Sequence, residues 1–130
     1  MEVFVKKIFL LTILLLTTSA ICFSETPASL KRVITNEMII QPDLENPFQG
    51  TWFYEASRNM FYVTVIEGMT GTVYFYGNRR WQRQSVFEIE FKDGIYVVPS
   101  PLGGDSKVLL TNNNNLLTIA GGLTYERFEK

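Results

Sequence analysis

The chain has 130 residues, which support one domain at most, and 46% of them are hydrophobic. It contains no histidine and a single cysteine, which excludes Ser-His and Cys-His catalytic triads as well as ordinary zinc sites. The formal net charge of −1 creates no global field that would favour nucleic acid. The composition therefore predicts a protein that is not an enzyme, uses no metal or cofactor and has no nucleic-acid partner.

Residues 1–24 have the three parts of a secretory signal peptide. A basic pair at positions 6–7 precedes an apolar run at positions 8–16, and small residues follow. The run is shorter than the roughly 20 residues that a transmembrane helix needs. We predict cleavage after Ser24, with cleavage after Ala20 and an uncleaved N-terminal anchor as the alternatives. The mature chain then has 10 basic and 12 acidic residues, a net charge of −2.

This leader predicts an exported protein, located in the periplasm, in the outer envelope or outside the cell. Cys22 occupies a place where a bacterial lipoprotein carries its lipid, but Ile21 precedes it where lipoproteins have a small residue. A lipid anchor at Cys22 is therefore the minor alternative. If cleavage removes Cys22, no disulfide can form, and the hydrophobic core must hold the fold in an oxidising compartment.

Residues 25–47 show no sustained hydrophobic period, and Pro27, Pro42 and Pro47 interrupt them. We interpret this segment as a poorly ordered linker with one short extended piece at residues 33–40. Its role would be to space the following domain, residues 48–130, from the translocation machinery or a membrane.

From Gly50 onward, short runs rich in Val, Ile, Tyr, Phe and Thr alternate with turn signals, which is typical of an all-β domain. The sequence "KDG" at residues 92–94 is a strong signal for a two-residue hairpin, and "NNNN" at residues 112–115 can turn the chain because asparagine tolerates positive φ. No segment resembles a helix longer than one turn. The predicted strands span residues 50–56, 60–67, 72–77, 82–92, 95–98, 107–111, 116–120 and 123–128.

Alternation in the fourth predicted strand separates its two faces. Phe87, Ile89 and Phe91 point one way, and the charged residues that alternate with them point the other way. Eight short antiparallel strands joined by hairpins predict a small up-and-down β-barrel, because closing the sheet removes its edges and covers its core.

The glycine and tryptophan of "GTW", Gly50 and Trp52, stand at the start of the first strand, and Arg127 lies in the last strand. This pattern resembles the lipocalin-like, calycin-type barrels. The resemblance implies that Trp52 plugs the closed end of the barrel while the Arg127 guanidinium packs on its indole ring. Glycine at position 50 lets the chain bend into the strand. The three residues are thus predicted to be structural.

The resemblance favours a non-catalytic binding protein that holds a small apolar molecule or a lipid inside the barrel. The face assignments extend this prediction to individual residues, although both faces of the early strands are apolar. The predicted ligand-binding interior consists of Tyr54, Phe61, Val63, Val65, Phe75, Phe87, Ile89 and Phe91.

The alternative function is a protein-binding module, comparable to hydrolase inhibitors or to other interaction proteins of the cell envelope. Tyrosine suits such a surface because its ring is apolar and its hydroxyl group stays hydrated. Arginines around a tryptophan in "NRRWQRQ" also allow contact with an anionic membrane surface. The predicted partner surface comprises Tyr62, Tyr74, Tyr76, Arg79, Arg80, Trp81 and Arg83.

Overall fold

The structure is a computed structural model that describes residues 26–100, 103–119 and 122–129. The predicted signal peptide lies outside the described residues. A short helix and a 3-10 turn precede nine strands, and all strand pairs are antiparallel. These elements are α1 (Ala28–Val33), the 3-10 turn (Asn36–Met38), β1 (Gly50–Ser57), β2 (Met60–Glu67), β3 (Thr70–Gly77), β4 (Arg80–Glu88), β5 (Glu90–Lys92), β6 (Ile95–Pro99), β7 (Asp105–Thr111), β8 (Leu116–Ile119) and β9 (Thr124–Arg127).

The nine strands form one sheet in the order β4-β3-β2-β1-β9-β8-β7-β6-β5. Strands that follow one another in the chain pair with each other, except β4 and β5, which form the two edges of the sheet, and β1 also pairs with β9. The sheet curls until β4 approaches β6, where no ladder of hydrogen bonds closes it. The prediction of an all-β, up-and-down, antiparallel barrel is confirmed, with nine strands in place of the eight predicted and with a barrel that is nearly closed.

The long strand predicted at residues 82–92 is divided in the structure. Its first part, β4, pairs with β3, and its last part, β5, pairs with β6. At the break, the Ile89 backbone N–H donates to the Met69 carbonyl oxygen at 2.8 Å. The strand splits because its two ends pair with different neighbours as the sheet curls.

The predicted turn residues adopt the backbone conformations that tight hairpins need. Asp93 and Gly94 of the "KDG" sequence both have positive φ, 53° and 81°, as a type I′ turn requires. Asn112, Asn113 and Asn114 also have positive φ between β7 and β8. Local turn chemistry therefore sets these hairpins.

The barrel encloses a hydrophobic cluster that we call the interior core. Its residues come from strands all around the sheet and from the segment just before β1. The buried members are Phe48, Trp52, Ile66, Ile89, Val108, Leu117 and Tyr125.

A second cluster, which we call the outer core, lies on the opposite face of β1 and β2. The segment before β1 covers this face and contributes residues to the cluster. The buried members are Leu30, Met38, Phe53, Phe61, Val63, Val65 and Phe128.

Hydrogen bonds fasten the N-terminal segment to the barrel. The Ile40 backbone N–H donates to the Thr51 hydroxyl oxygen at 3.0 Å, and the Thr51 hydroxyl donates to the Met38 carbonyl oxygen. The Trp81 indole N–H donates to the Val33 carbonyl oxygen at 2.8 Å. These contacts hold the segment along β1 and β4.

The sequence interpretation of residues 25–47 as a poorly ordered linker did not anticipate this layer. Leu30 is fully buried and Met38 is 6% exposed, although one lies in α1 and the other in the 3-10 turn. The piece predicted to be extended at residues 33–40 contains that 3-10 turn. Because the buried residues belong to different short elements, they show no helical or strand period.

The prediction that Phe61, Val63 and Val65 line the barrel interior is wrong, because all three belong to the outer core. Trp52 lies opposite Thr64 in the β1–β2 register, so the even-numbered residues of β2 share the interior face with Trp52. Both faces of β2 are apolar, so hydrophobicity alone could not distinguish inside from outside.

Candidate functional site

One end of the barrel, which we call the floor, is built around Trp52, which is fully buried. Its indole N–H donates to the Phe48 carbonyl oxygen at 2.9 Å. Arg127 is its direct partner on β9, and the guanidinium carbon lies 4.1 Å from the centroid of the indole ring. The structure thus brings together the two residues that the sequence predicted to meet.

Arg127 binds the chain at three points around this floor. Its guanidinium donates to the carbonyl oxygens of Pro47 at 2.8 Å, Gln49 at 2.9 Å and Asn114 at 2.9 Å. Burial lowers the pKa of Arg127, and the nearby Glu129 opposes this shift. Since backbone carbonyls accept hydrogen bonds from its Nε, Nη1 and Nη2 atoms, Arg127 stabilises the floor.

Gly50 has a steric and a conformational role beside Arg127. Its φ of 141° is a conformation that side chains rarely adopt, and a Cβ atom there would lie 2.7 Å from the Arg127 Nη1 atom. Glycine at this position therefore allows the guanidinium to reach the indole ring and the carbonyls together.

Above the floor, aromatic rings fill one side of the interior. Tyr54 lies 6.4 Å from Tyr125 between ring centroids, and Tyr62 lies 4.9 Å from Phe75. Burial raises the pKa of Tyr125, and the nearby Thr64 side chain partly opposes this shift. Tyr54 and Phe75 therefore lie on the interior side, as predicted, and Tyr62 lies there as well, although it was predicted to be outside.

A cleft of about 730 Å³ lies where the barrel fails to close, between β4 and β6, and we call it the seam cleft. Phe87, predicted to be interior, forms part of its wall and packs directly over Gly71, where no Cβ would fit. Ile89, also predicted to be interior, lies next to this wall in the interior core. The apolar residues that line the cleft are Val73, Val86, Phe87, Val98, Pro99 and Ile119.

Polar groups stand among the apolar residues of the seam cleft. Ser85 and Ser106 supply hydroxyl groups, and Glu88 and Glu90 supply carboxylates. Glu88 accepts a hydrogen bond from the Thr70 hydroxyl at 3.0 Å. Among the described residues, none of those that line the cleft is lysine or arginine. The cleft can therefore take an apolar group and should repel an anionic one.

The sequence predicted that Glu88 and Glu90 face away from the interior. In the structure they share the seam cleft with Phe87. The reason is that the cleft lies along the unpaired edge of β4, where residues from both faces of the strand border the same opening.

Phe91 does not lie in the interior, which corrects the prediction. It is 66% exposed and packs against Tyr96 with 5.0 Å between ring centroids. Phe91 lies on β5, which is three residues long and forms an edge of the sheet. In the part of the chain that the structure describes, no strand lies beyond β5 to help cover the ring.

The predicted partner surface does not form one exposed aromatic face. Tyr74, Tyr76 and Trp81 pack against the outer core and are partly buried. Trp81 lies 5.0 Å from Tyr76 between ring centroids. The predicted arginines Arg79, Arg80 and Arg83 remain exposed.

Arg79 lines a second cavity of about 540 Å³ with two arginines that the sequence analysis did not single out. Arg32 lies in the last turn of α1, and Arg58 lies in the β1–β2 turn. We call this cavity the arginine groove. No local motif connects residues so far apart in the chain, so sequence inspection alone did not group them.

Comparisons with models of protein families, with curated proteins and with solved structures give no match to this chain. Over the described ranges, no three His, Cys, Asp or Glu side chains are grouped to hold a metal ion. In the same ranges neither helix is long and apolar enough to cross a bilayer.

Proposed function

We propose that this chain is an exported, non-catalytic binding protein that holds a small apolar molecule or lipid in the seam cleft. The observation that carries the proposal is the cleft itself, whose volume of about 730 Å³ falls within the usual range of ligand pockets. Its wall combines Phe87, Val98 and Ile119 with serine hydroxyls. Such a wall binds by apolar burial, and the hydroxyls orient the guest.

The arrangement of the floor supports a lipocalin-like interpretation of the barrel. Arg127 packs on the fully buried Trp52 at the floor, so a guest would have its access at the seam rather than through the floor. The interior core is packed beside the floor, and apolar side chains from it continue into the seam cleft. We therefore place the ligand at the seam and not along the barrel axis.

The charges at the seam cleft define the class of ligand. Glu88 and Glu90 border the opening, and no cationic side chain among the described residues lines it. A fatty acid would bring its carboxylate close to these two carboxylates. The proposed ligand is therefore a neutral or cationic amphiphile with an apolar portion.

Displacement of an environment-sensitive apolar dye tests this proposal. We expect a long-chain alcohol or alkylamine to displace the dye more effectively than the fatty acid of equal length. Val98→Trp should weaken dye binding at least about tenfold, because the larger side chain fills the cleft. Leu109→Trp is the matched control, since Leu109 is 54% exposed on the outer side of β7. Absence of dye binding to the folded, delipidated protein would reject the proposal.

The proposal that the protein is exported depends on the signal-peptide pattern of residues 1–24, and it can be tested separately from ligand binding. We expect exported protein to begin at Glu25, because small residues precede the predicted cleavage site. N-terminal sequencing of the exported protein measures this directly. An intact Met1 on that protein would refute the signal-peptide interpretation.

A protein-binding module is the second candidate, and one observation favours it. The β5–β6 hairpin exposes Phe91, Ile95 and Tyr96, which are 66%, 41% and 39% accessible. Apolar groups on an exposed hairpin at a sheet edge suit contact with another protein. Native mass spectrometry of protein purified from its own envelope decides between the candidates, because it detects bound lipid and bound protein separately.

A further inference from the structure

We propose that the arginine groove is a second binding site, distinct from the seam cleft, and that it recognises the phosphate of a phosphomonoester amphiphile. The groove lies between α1 and the turns β1–β2 and β3–β4. These turns are at the end of β1 and β3 opposite to Trp52. The groove is thus separate from both the floor and the seam cleft.

Three elements bring one guanidinium each to the groove. Arg32 comes from the last turn of α1, Arg58 from the β1–β2 turn and Arg79 from the β3–β4 turn. The helix can supply Arg32 here because the outer core holds it against the sheet through Leu30. The folded N-terminal layer therefore completes the groove.

The described residues that line the groove do not balance its positive charge. No carboxylate occurs among the described residues that line it. Within the described ranges, the one ion pair joins Lys92 to Asp105, at 3.0 Å. None of the three guanidiniums therefore has an ion-pair partner among the described residues, and guanidinium groups match phosphate oxygens in a bidentate geometry.

The β3–β4 turn contains a residue that is unusual for its conformation. Asn78 and Arg79 have φ angles of 53° and 62°, the pattern of a type I′ turn. Glycine is the favoured second residue of such a turn, because positive φ costs a side-chain-bearing residue free energy. An arginine at this position makes the turn less stable than glycine would, and it places a positive charge beside the groove.

The rest of the lining explains why an amphiphile suits this site better than a free anion. Asn59 and Asn78 add neutral hydrogen-bonding groups, while Val33, Met60 and Tyr76 form an apolar wall. Met60 is 37% exposed, so this wall is accessible. Phosphate oxygens can meet the guanidiniums while the first carbons of an alkyl chain cover the wall.

Calorimetric titration with octyl phosphate and with inorganic phosphate tests the site. We expect octyl phosphate to bind and inorganic phosphate to bind at least about tenfold more weakly. Arg79→Gly should weaken octyl phosphate binding about tenfold, while thermal stability stays equal or rises because glycine suits the turn. Arg83→Ala removes the same charge from an exposed position outside the groove and should change binding less than about twofold.

Equal losses in Arg79→Gly and Arg83→Ala would overturn the proposal, because they would indicate diffuse attraction to the net charge. Absence of octyl phosphate binding, or equal affinity for inorganic phosphate, would also overturn it. Co-sedimentation with phosphatidylcholine vesicles that contain phosphatidic acid shows whether the phosphate belongs to a membrane lipid or to a soluble ester. If the native protein sediments with the vesicles and Arg79→Gly does not, the ligand is a membrane headgroup. If the native protein binds octyl phosphate but does not sediment with the vesicles, the ligand is a soluble ester. Dye binding at the seam cleft should be unchanged in Arg79→Gly, so the two proposed sites can fail separately.

Discussion

The interior core and the outer core lie on opposite faces of the same strands, but they are assembled in different ways. The interior core is formed by strands around the whole barrel and is closed at the floor by Trp52 and Arg127. The outer core is formed where α1 and the following segment lie on β1 and β2. The comparison shows that β1 and β2 are covered on both faces, by the interior core on one side and by the N-terminal segment on the other.

The two cores also differ in the cavity that borders each of them. The interior core continues into the acidic seam cleft, whereas the outer core ends at the arginine groove. One small domain therefore presents two apolar cavities with opposite rim charges. Substitutions in each core measure how much each contributes to the free energy of unfolding.

The largest expected effect comes from the floor of the interior core. Trp52→Ala should lower the free energy of unfolding by about 3–5 kcal/mol, because it empties a fully buried indole site. It also leaves the Arg127 guanidinium without its stacking partner. Denaturant unfolding measures the loss, and a change below about 1 kcal/mol would show that Trp52 is not a plug.

A smaller loss is expected from the outer core. Leu30→Ala should lower the free energy of unfolding by about 2–4 kcal/mol, because Leu30 is fully buried between α1 and the sheet. The same substitution at Leu44, which is fully exposed, should change stability by less than about 0.5 kcal/mol. Similar effects at Leu30 and Leu44 would mean that the N-terminal layer contributes nothing to the fold.

The two tryptophans can report the two cores separately. Trp52 lies in the interior core, and Trp81 donates to Val33 beneath the N-terminal layer. The double variant Leu30→Ala/Trp52→Phe keeps Trp81 as its only tryptophan and reports the outer core. The double variant Leu30→Ala/Trp81→Phe keeps Trp52 and reports the interior core. Two separated transitions would show that the layer unfolds before the barrel, and one shared transition would show that both cores fold together.

The smallest expected effect is a dependence on alkaline pH within the interior core. Burial raises the pKa of Tyr125 above its ordinary value of 10.0. Below pH 10.0 the Tyr125 hydroxyl keeps its proton in both the folded and the unfolded states, so its ionisation does not reduce the free energy of unfolding there. As pH rises through the raised pKa, the unfolded state is favoured by ionisation and the free energy of unfolding falls.

Unfolding experiments from about pH 9 to about pH 11 measure this dependence. Tyr125→Phe should reduce the alkaline loss of stability, since phenylalanine has no proton to release. Equal slopes in the native protein and in Tyr125→Phe would contradict the assignment of the loss to Tyr125.

How much could be predicted from the sequence is clearest along β2 and β4. The bounds predicted for β2, residues 60–67, match the structure, because alternation and the flanking turns are local signals. Its faces were assigned the wrong way round, because Phe61 and Val63 are as apolar as Tyr62 and Ile66. In β4, where polar residues alternate with apolar ones, the inward direction of Phe87 was predicted correctly.

The sequence by itself determined the strand class, the hairpin turns and the contact of Trp52 with Arg127, since each follows from local backbone preference or from a recognisable motif. The tertiary structure alone decided that Leu30 is buried, that β4 and β6 leave a seam, and that Arg32, Arg58 and Arg79 meet. These features depend on contacts between residues far apart in the chain. Periodicity reports only how each segment alternates, so it carries no information about which segment will cover which face.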